Sequence, residues 1–411
     1  MTDLTAPGSN VSIGSSLSAS GVSRRRFLRF CAALAAAAPT HSALASASSA
    51  RQIADRIASA RRPSVIWLHF QDCTGCTESL LHSAEPDIAE ILFNLISLDY
   101  HETLMAASGR QAEAALDSAV RENAGNFILV VEGSIPTGVC AGYMKLAGRN
   151  AIDVLHEVAA KAAWVVAVGS CSSWGGVASA DPNPSNARSV AELMQGKTIV
   201  NLPGCPPNPY TLLSVLLEFA TMHRLPALDG LGRPRFAYDR LIHEDCPRRG
   251  HFDAGRFASQ FGDWGHRNGW CLYKLGCKGP VTHASCSTRH FNNVPNAWPI
   301  GVGAPCIGCT EQATAFRTPL FQLVDIHALT PAAALPSIEQ PARSTETAVA
   351  ATVGVATGIA ASAAWAASRR LPSRAPLGED EEAREIEELE KLSKLTEDDH
   401  RKPPSNGADR A

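Results

Sequence analysis

The chain has 411 residues, enough for two or three domains with a sizeable core, and a net charge of −3 that gives no general pull toward nucleic acid or anionic lipid. Twelve cysteines in a chain of this length do not fit the disulfide scaffold of a small secreted domain, and their spacings point to metal ligation instead.

The N-terminus reads as an export signal. Ser23-Arg24-Arg25-Arg26-Phe27-Leu28-Arg29 follows the twin-arginine pattern, an apolar run occupies 30–38, and small residues offer cleavage sites at Ala43/Ala45 and Ala45/Ala47. Residues 1–47 are therefore expected to be a removable leader that takes Cys31 with it, the bland alternative being an Arg-containing disordered tail. Export in a folded state suits a protein that must receive metal groups in the cytoplasm.

Over 60–230, short apolar runs at 65–70, 127–131, 163–168 and 198–202 alternate with helix-like segments at 111–121, 151–161 and 209–223. That alternation predicts an α/β domain with a doubly wound parallel sheet, flavodoxin-like in outline. Cys73 and Cys76 follow the first run, Cys171 the third and Cys205 the fourth. Ligand-bearing loops thus fall at the carboxyl ends of strands, where open α/β sheets bind ligands. Four converging thiolates suit a 4Fe–4S cluster or zinc.

From 231 to 335 the alternation fades, and an irregular cluster-binding domain is expected. His243-x-x-Cys246 with Cys271 and Cys277 offers one nitrogen and three sulfurs. Cys286 with Cys306-x-x-Cys309 offers three sulfurs, which fits a 3Fe–4S cluster, and Pro299 has no side-chain ligand to add. A linker at 336–346 leads to 347–368, an uncharged stretch of 22 residues that can span a bilayer as a transmembrane helix, with an Ala-rich soluble helix as the alternative. Arg369, Arg370 and Arg374 then open a charged tail, 369–411, that suits a cytoplasmic end. Cys140 is left over and reads as a structural thiol.

Several segments together resemble the small subunit of a membrane-bound periplasmic nickel–iron uptake hydrogenase. They are Cys73-Thr74-Gly75-Cys76-Thr77-Glu78-Ser79, Glu132-Gly133-Ser134-Ile135-Pro136, Gly169-Ser170-Cys171-Ser172-Ser173-Trp174-Gly175-Gly176, Leu202-Pro203-Gly204-Cys205-Pro206-Pro207, Gly276-Cys277-Lys278-Gly279-Pro280-Val281-Thr282, Asn296-Ala297-Trp298-Pro299-Ile300 and Pro305-Cys306-Ile307-Gly308-Cys309. The resemblance implies a proximal 4Fe–4S cluster on Cys73, Cys76, Cys171 and Cys205. It implies a medial 3Fe–4S cluster on Cys286, Cys306 and Cys309, and a distal 4Fe–4S cluster on His243, Cys246, Cys271 and Cys277. It also implies a nickel–iron large subunit as partner, which houses the catalyst, and a membrane cytochrome b or equivalent quinone-reducing subunit as acceptor, at the periplasmic face of the inner membrane. Oxygen-tolerant members carry two extra cysteines at the proximal cluster; the corresponding positions here are Gly75 and Gly176, so tolerance by that route is not expected. Glu78 and Glu132 lie near the proximal group and are expected to satisfy loop backbones. The competing functions are a cluster-bearing member of another quinone oxidoreductase complex, which would share only the first domain, and a zinc-stabilised structural protein.

Overall fold

The computed structural model describes residues 12–19, 55, 57–84 and 86–327. The twin-arginine motif at 24–29, Cys31, the uncharged stretch 347–368 and the tail 369–411 lie outside the described residues. Among the described residues no helix is long and apolar enough to cross a membrane.

Five strands build one sheet: β1 (Ser64–His69), β2 (Ser97–His101), β3 (Phe127–Glu132), β4 (Trp164–Val168) and β5 (Ile199–Leu202). Their spatial order is 2-1-3-4-5 and every pairing is parallel. This is the flavodoxin-like doubly wound order, whose direction reverses between β1 and β3. β1 and β3 are buried along their whole length, which explains their unbroken apolar sequences. The edge strand β2 was not expected: Ser97, Asp99 and His101 interrupt its apolar character, and three of its five residues are only half-buried.

Among the described residues the α-helices of six residues or more are α1 (Ile13–Ala19), α2 (Gly75–Leu81), α3 (Arg110–Glu122), α4 (Ala151–Lys161), α5 (Gly169–Trp174) and α6 (Pro209–Met222). Alternate residues of each strand serve opposite faces. Ile66, Leu68, Leu129 and Val131 join the core shared with α3 and α4, while Val65, Trp67, Ile128 and Val130 join the core shared with α6. The sequence of α6 sets its own start: Pro209 sits in the first turn and the Asn208 side chain accepts from the Tyr210 amide. Ile13 and Leu17 of α1 are buried in the α6-side core with Ile57, Ile91 and Leu95, and the Ile13 amide donates to the Ala60 carbonyl at 2.9 Å.

Residues 231–327 contain no sheet strand, and their longest helix, Arg249–Asp253, has five residues. Their core is small, with Ile242, Leu272, Leu275, Trp298 and Ile300 packed around Cys277 and Cys306. Thiols here are part of the packed interior, so whatever binds them also holds the domain together.

Candidate metal centres

Cys73 lies on the loop after β1, Cys76 in the first turn of α2, Cys171 in the first turn of α5 and Cys205 on the loop after β5. All four leave the carboxyl end of the sheet, beside the point where its strand order reverses. The approach is close enough to need glycine. Gly169 has φ +86°, and a Cβ there would stand 2.4 Å from the Cys76 sulfur. At Gly176, with φ +55°, a Cβ would stand 2.4 Å from the Cys171 sulfur, whereas at Gly75 it would stand 3.1 Å from that of Cys73. Burial, then the neighbouring Cys205 and Cys73, push the Cys171 thiol up to about 11. Cys76 is raised by burial, by Glu132 and by the other three cysteines. Four thiols this close resist ionising together unless a cation neutralises them.

Behind this group lies a buried polar cluster. Glu132, at the end of β3, accepts from the Cys76 amide at 2.9 Å, the Thr77 hydroxyl at 2.7 Å and the Trp67 indole at 3.2 Å. It satisfies the loop backbone as expected, while Glu78 points outward and is exposed. His69 Nδ1 stands 2.7 Å from Asp72, and its Nε2 faces His101 Nε2 at 3.5 Å. Burial works to lower the His69 pKa, but the Asp72 hydrogen bond and the carboxylates of Glu132, Asp72 and Glu102 outweigh it and raise it. Burial and His69 depress His101 to about 3. As pH falls, His69 therefore takes up a proton before His101 does. His69, Asp72 and Glu132 lie within 4.8 Å of one another, but ligands sharing a tetrahedral zinc stand roughly 3.3 Å apart, so the His69–Asp72 contact is a hydrogen bond. Of this cluster the sequence reading found Glu132 but not His69, Asp72 or His101; the one local sign of these is Asp72 directly before Cys73.

His243, Cys246, Cys271 and Cys277 line a single small pocket. The His243 ring is 5% exposed and its Nε2 has no hydrogen-bond partner. Burial and the Arg249 guanidinium lower its pKa to about 4, which keeps the imidazole neutral and able to donate a lone pair. Burial pushes Cys246 up to about 11 and Cys271 to about 12. An orphaned imidazole nitrogen among three thiols fits a metal group.

Cys286, Cys306 and Cys309 form the third group. Burial pushes Cys286 up to about 11, and burial and Cys286 push Cys309 to about 12. This group touches both of the others. The Cys205 backbone lies close enough to Cys309 to favour its thiolate, the Ser170 hydroxyl beside Cys171 donates to the Cys309 carbonyl at 2.7 Å, and the Cys306 amide donates to the Cys277 sulfur at 3.4 Å. The Pro299 ring is exposed, and its carbonyl accepts from the Ala304 amide at 2.8 Å. Beside the group lies Lys278, 0% exposed, whose ammonium donates to the carbonyls of Pro319 at 3.0 Å and Leu320 at 2.8 Å. Sequence reasoning saw Lys278 only as a letter between Cys277 and Gly279. Cys140 is buried in the Gly138–Tyr143 turn, consistent with a structural thiol.

Comparison with known proteins separates the competing functions. Residues 73–219 match the family described as NADH ubiquinone oxidoreductase, 20 Kd subunit. That match alone would leave a quinone oxidoreductase open. Residues 238–322, however, match the C-terminal family of NiFe/NiFeSe hydrogenase small subunits. The chain is also 46% identical over 318 residues to the Hydrogenase-2 small chain of Escherichia coli, covering 77% of this chain and 84% of that one. The chain belongs to the nickel–iron hydrogenase small-subunit family. It is 42% identical to the quinone-reactive Ni/Fe-hydrogenase small chain of Wolinella succinogenes, covering 71% of this chain and 81% of that one, and other relatives are described as periplasmic. Among solved structures, the [NiFeSe]-hydrogenase of Desulfomicrobium baculatum superposes with a TM-score of 0.58 at 35% identity, covering 64% of this chain and 100% of that one. As a hydrogenase small subunit, the protein is the electron-transfer partner of a nickel–iron large subunit, and its cysteine-rich make-up implies iron–sulfur clusters.

Proposed function

We propose that electrons released by hydrogen oxidation in the large subunit pass through this hydrogenase small subunit one at a time along three iron–sulfur clusters. Cys73, Cys76, Cys171 and Cys205 would hold a proximal 4Fe–4S cluster; Cys286, Cys306 and Cys309 a medial 3Fe–4S cluster; His243, Cys246, Cys271 and Cys277 a distal 4Fe–4S cluster. Such clusters accept and release single electrons at potentials set by ligand charge, burial and hydrogen bonds to sulfur. The observation that carries this reading is the placement of the third group, which is tied through the Cys309 carbonyl to Ser170 beside Cys171 on one side and through the Cys306 amide to the Cys277 sulfur on the other.

The chain's own residues supply the rest. The exposed Cys73 and Cys205 open the first group to the surface, and Val177, whose backbone lies near Cys171, is 62% exposed. This face suits the large subunit. The neutral His243 replaces an anionic thiolate, which favours the reduced state at the exit. The acceptor would be a membrane cytochrome b or equivalent quinone-reducing subunit, a reading favoured by the quinone-reactive relative. Residues 1–47 would direct export by the twin-arginine route, and 347–368 would anchor the protein at the periplasmic face of the inner membrane.

Electron paramagnetic resonance during reductive titration of the purified complex tests the relay. The expected spectra show a 3Fe signal in the oxidised complex and two 4Fe signals on reduction. Iron-free protein with zinc in these sites would overturn it.

A further inference from the structure

Three serines surround Cys171, and they behave differently. Ser172 is fully buried and its hydroxyl has no hydrogen-bond partner. Ser173 donates to Ala167, within β4 itself. Ser170, 1% exposed, reaches out of the domain. Its hydroxyl donates to the carbonyl of Cys309 at 2.7 Å and accepts from the amide of Gly204 at 3.1 Å. An amide only donates and a carbonyl only accepts, so the direction of the hydroxyl proton is fixed. The Ser170 amide also donates to the Gly204 carbonyl at 2.9 Å. One buried side chain thus ties together the peptides flanking Cys171 and Cys205 and the peptide of Cys309. Neighbouring ties are less direct. Trp174 Nε1 and Arg233 Nη1 both donate to the Thr310 carbonyl, at 3.3 and 3.0 Å, one residue beyond the cysteine.

We propose that Ser170 is a positioning residue that sets the spacing between the first and third cysteine groups and supplies a hydrogen-bonded route for the electron between them; this rests on the relay proposed above. One electron passes from the group held by Cys171 and Cys205, which is oxidised by one, to the group held by Cys309, which is reduced by one. The hydroxyl proton stays on Ser170 throughout. The reductant is the hydrogen oxidised by the large subunit. The route is short because it uses no side chain longer than serine.

The test uses the intact heterodimer with Ser170→Ala, Ser170→Thr and Trp174→Phe. Amide hydrogen exchange at Gly204 reads the clamp without reference to any metal. It should quicken about fivefold to tenfold in Ser170→Ala, the equivalent of one lost hydrogen bond, and return in Ser170→Thr. Rapid-freeze electron paramagnetic resonance after a reducing pulse reads arrival of the electron at the third group. Ser170→Ala, at full iron content, should slow it severalfold, Ser170→Thr should restore it, and Trp174→Phe should leave it unchanged. A wild-type transfer rate in Ser170→Ala, an unchanged Gly204 exchange rate, or equal slowing in Trp174→Phe would each overturn the proposal. If Ser170→Ala fails to assemble, slow transfer in a well-assembled Ser170→Thr with restored Gly204 protection overturns the route. Absence of iron from the unmodified protein would instead sink the relay itself, while the exchange arm would still report on the clamp.

Discussion

Lys278 is a fully buried ammonium whose hydrogen bonds go to backbone carbonyls, those of Pro319 and Leu320 and, at 3.5 Å, those of Gly276 and Gln322. It follows Cys277 in the chain, its amide donates to the Cys306 carbonyl at 2.8 Å, and its stem packs on Gly308, between Cys306 and Cys309. Burial lowers its pKa, and the thiols of Cys306 and Cys277 push the other way. The cation sits beside the second and third groups, where it would oppose the negative charge that the proposed clusters gain on reduction. Lys278→Met keeps the stem's volume and removes the charge. At a separation of roughly 7 Å and an effective dielectric of about 20, one unit charge is worth about 2.4 kcal/mol. For a one-electron couple this corresponds to about 100 mV, and penetrating water reduces it. Both potentials should therefore fall, by tens of millivolts up to about 100 mV. The stability change should be smaller, since Leu320 and Phe321 are exposed and the freed carbonyls can meet water. The assay is a redox titration followed by electron paramagnetic resonance, with thermal unfolding as a control. Unchanged potentials in a folded, fully loaded variant would refute the reasoning.

Replacing His243 by Ala should cut quinone-linked turnover while leaving hydrogen–deuterium exchange at the large subunit intact; equal loss of both would show that His243 is not on the exit path. Glu132→Ala should cost about 3–5 kcal/mol in chemical denaturation, because it orphans the Trp67 indole and the Cys76 amide in the interior, whereas Glu132→Gln should cost less. A loss under about 1 kcal/mol would place Glu132 outside the structural network. For pH, His101 is depressed from 6.5 to about 3, so its contribution is complete above the unfolded value and is lost as pH falls from about 6.5 toward 3. At pH 5 this amounts to about 2 kcal/mol, partly offset by His69, whose raised pKa favours the folded state in acid. Comparing denaturation midpoints at pH 7 and 5, His101→Gln should lose less on acidification than the unmodified protein; an equal drop would refute the assignment.

Local pattern carried the sheet a long way. The apolar runs at 127–131 and 198–202 are β3 and β5 to within a residue, and the segment expected at 151–161 is α4. The cysteines were readable because thiol spacing and strand ends are both properties of short segments. β2 was not, since an edge strand needs no continuous apolar run. Nor was the contact of His69 with His101, because nothing local marks two residues 32 apart as neighbours. Lys278 and Ser170 belong to the same class: each is an ordinary residue in a glycine-rich stretch until the fold brings a distant carbonyl to it. The twin-arginine motif and the uncharged stretch are legible only as sequence, and both fall outside the described residues.

The order of the groups along the chain differs from their order in space. Along the chain the three-cysteine set comes last; in space it contacts Cys205 of the first set and Cys277 of the second. The position follows from packing: residues 306–310 run back onto α5, where Ser170 and Trp174 receive the carbonyls of Cys309 and Thr310. A cluster held there, as proposed, would have a neighbouring cluster on two sides, so its potential would respond to both. Lys278 is a buried cation against it, held by a chain segment, 319–320, that itself follows the last cysteine. Folding of that final stretch is therefore coupled to the electrostatics of the middle group. A truncation before Pro319 should shift its potential in the same direction as Lys278→Met, because it leaves the ammonium only the Gly276 carbonyl, at 3.5 Å, and a poorly paired ammonium does not stay buried.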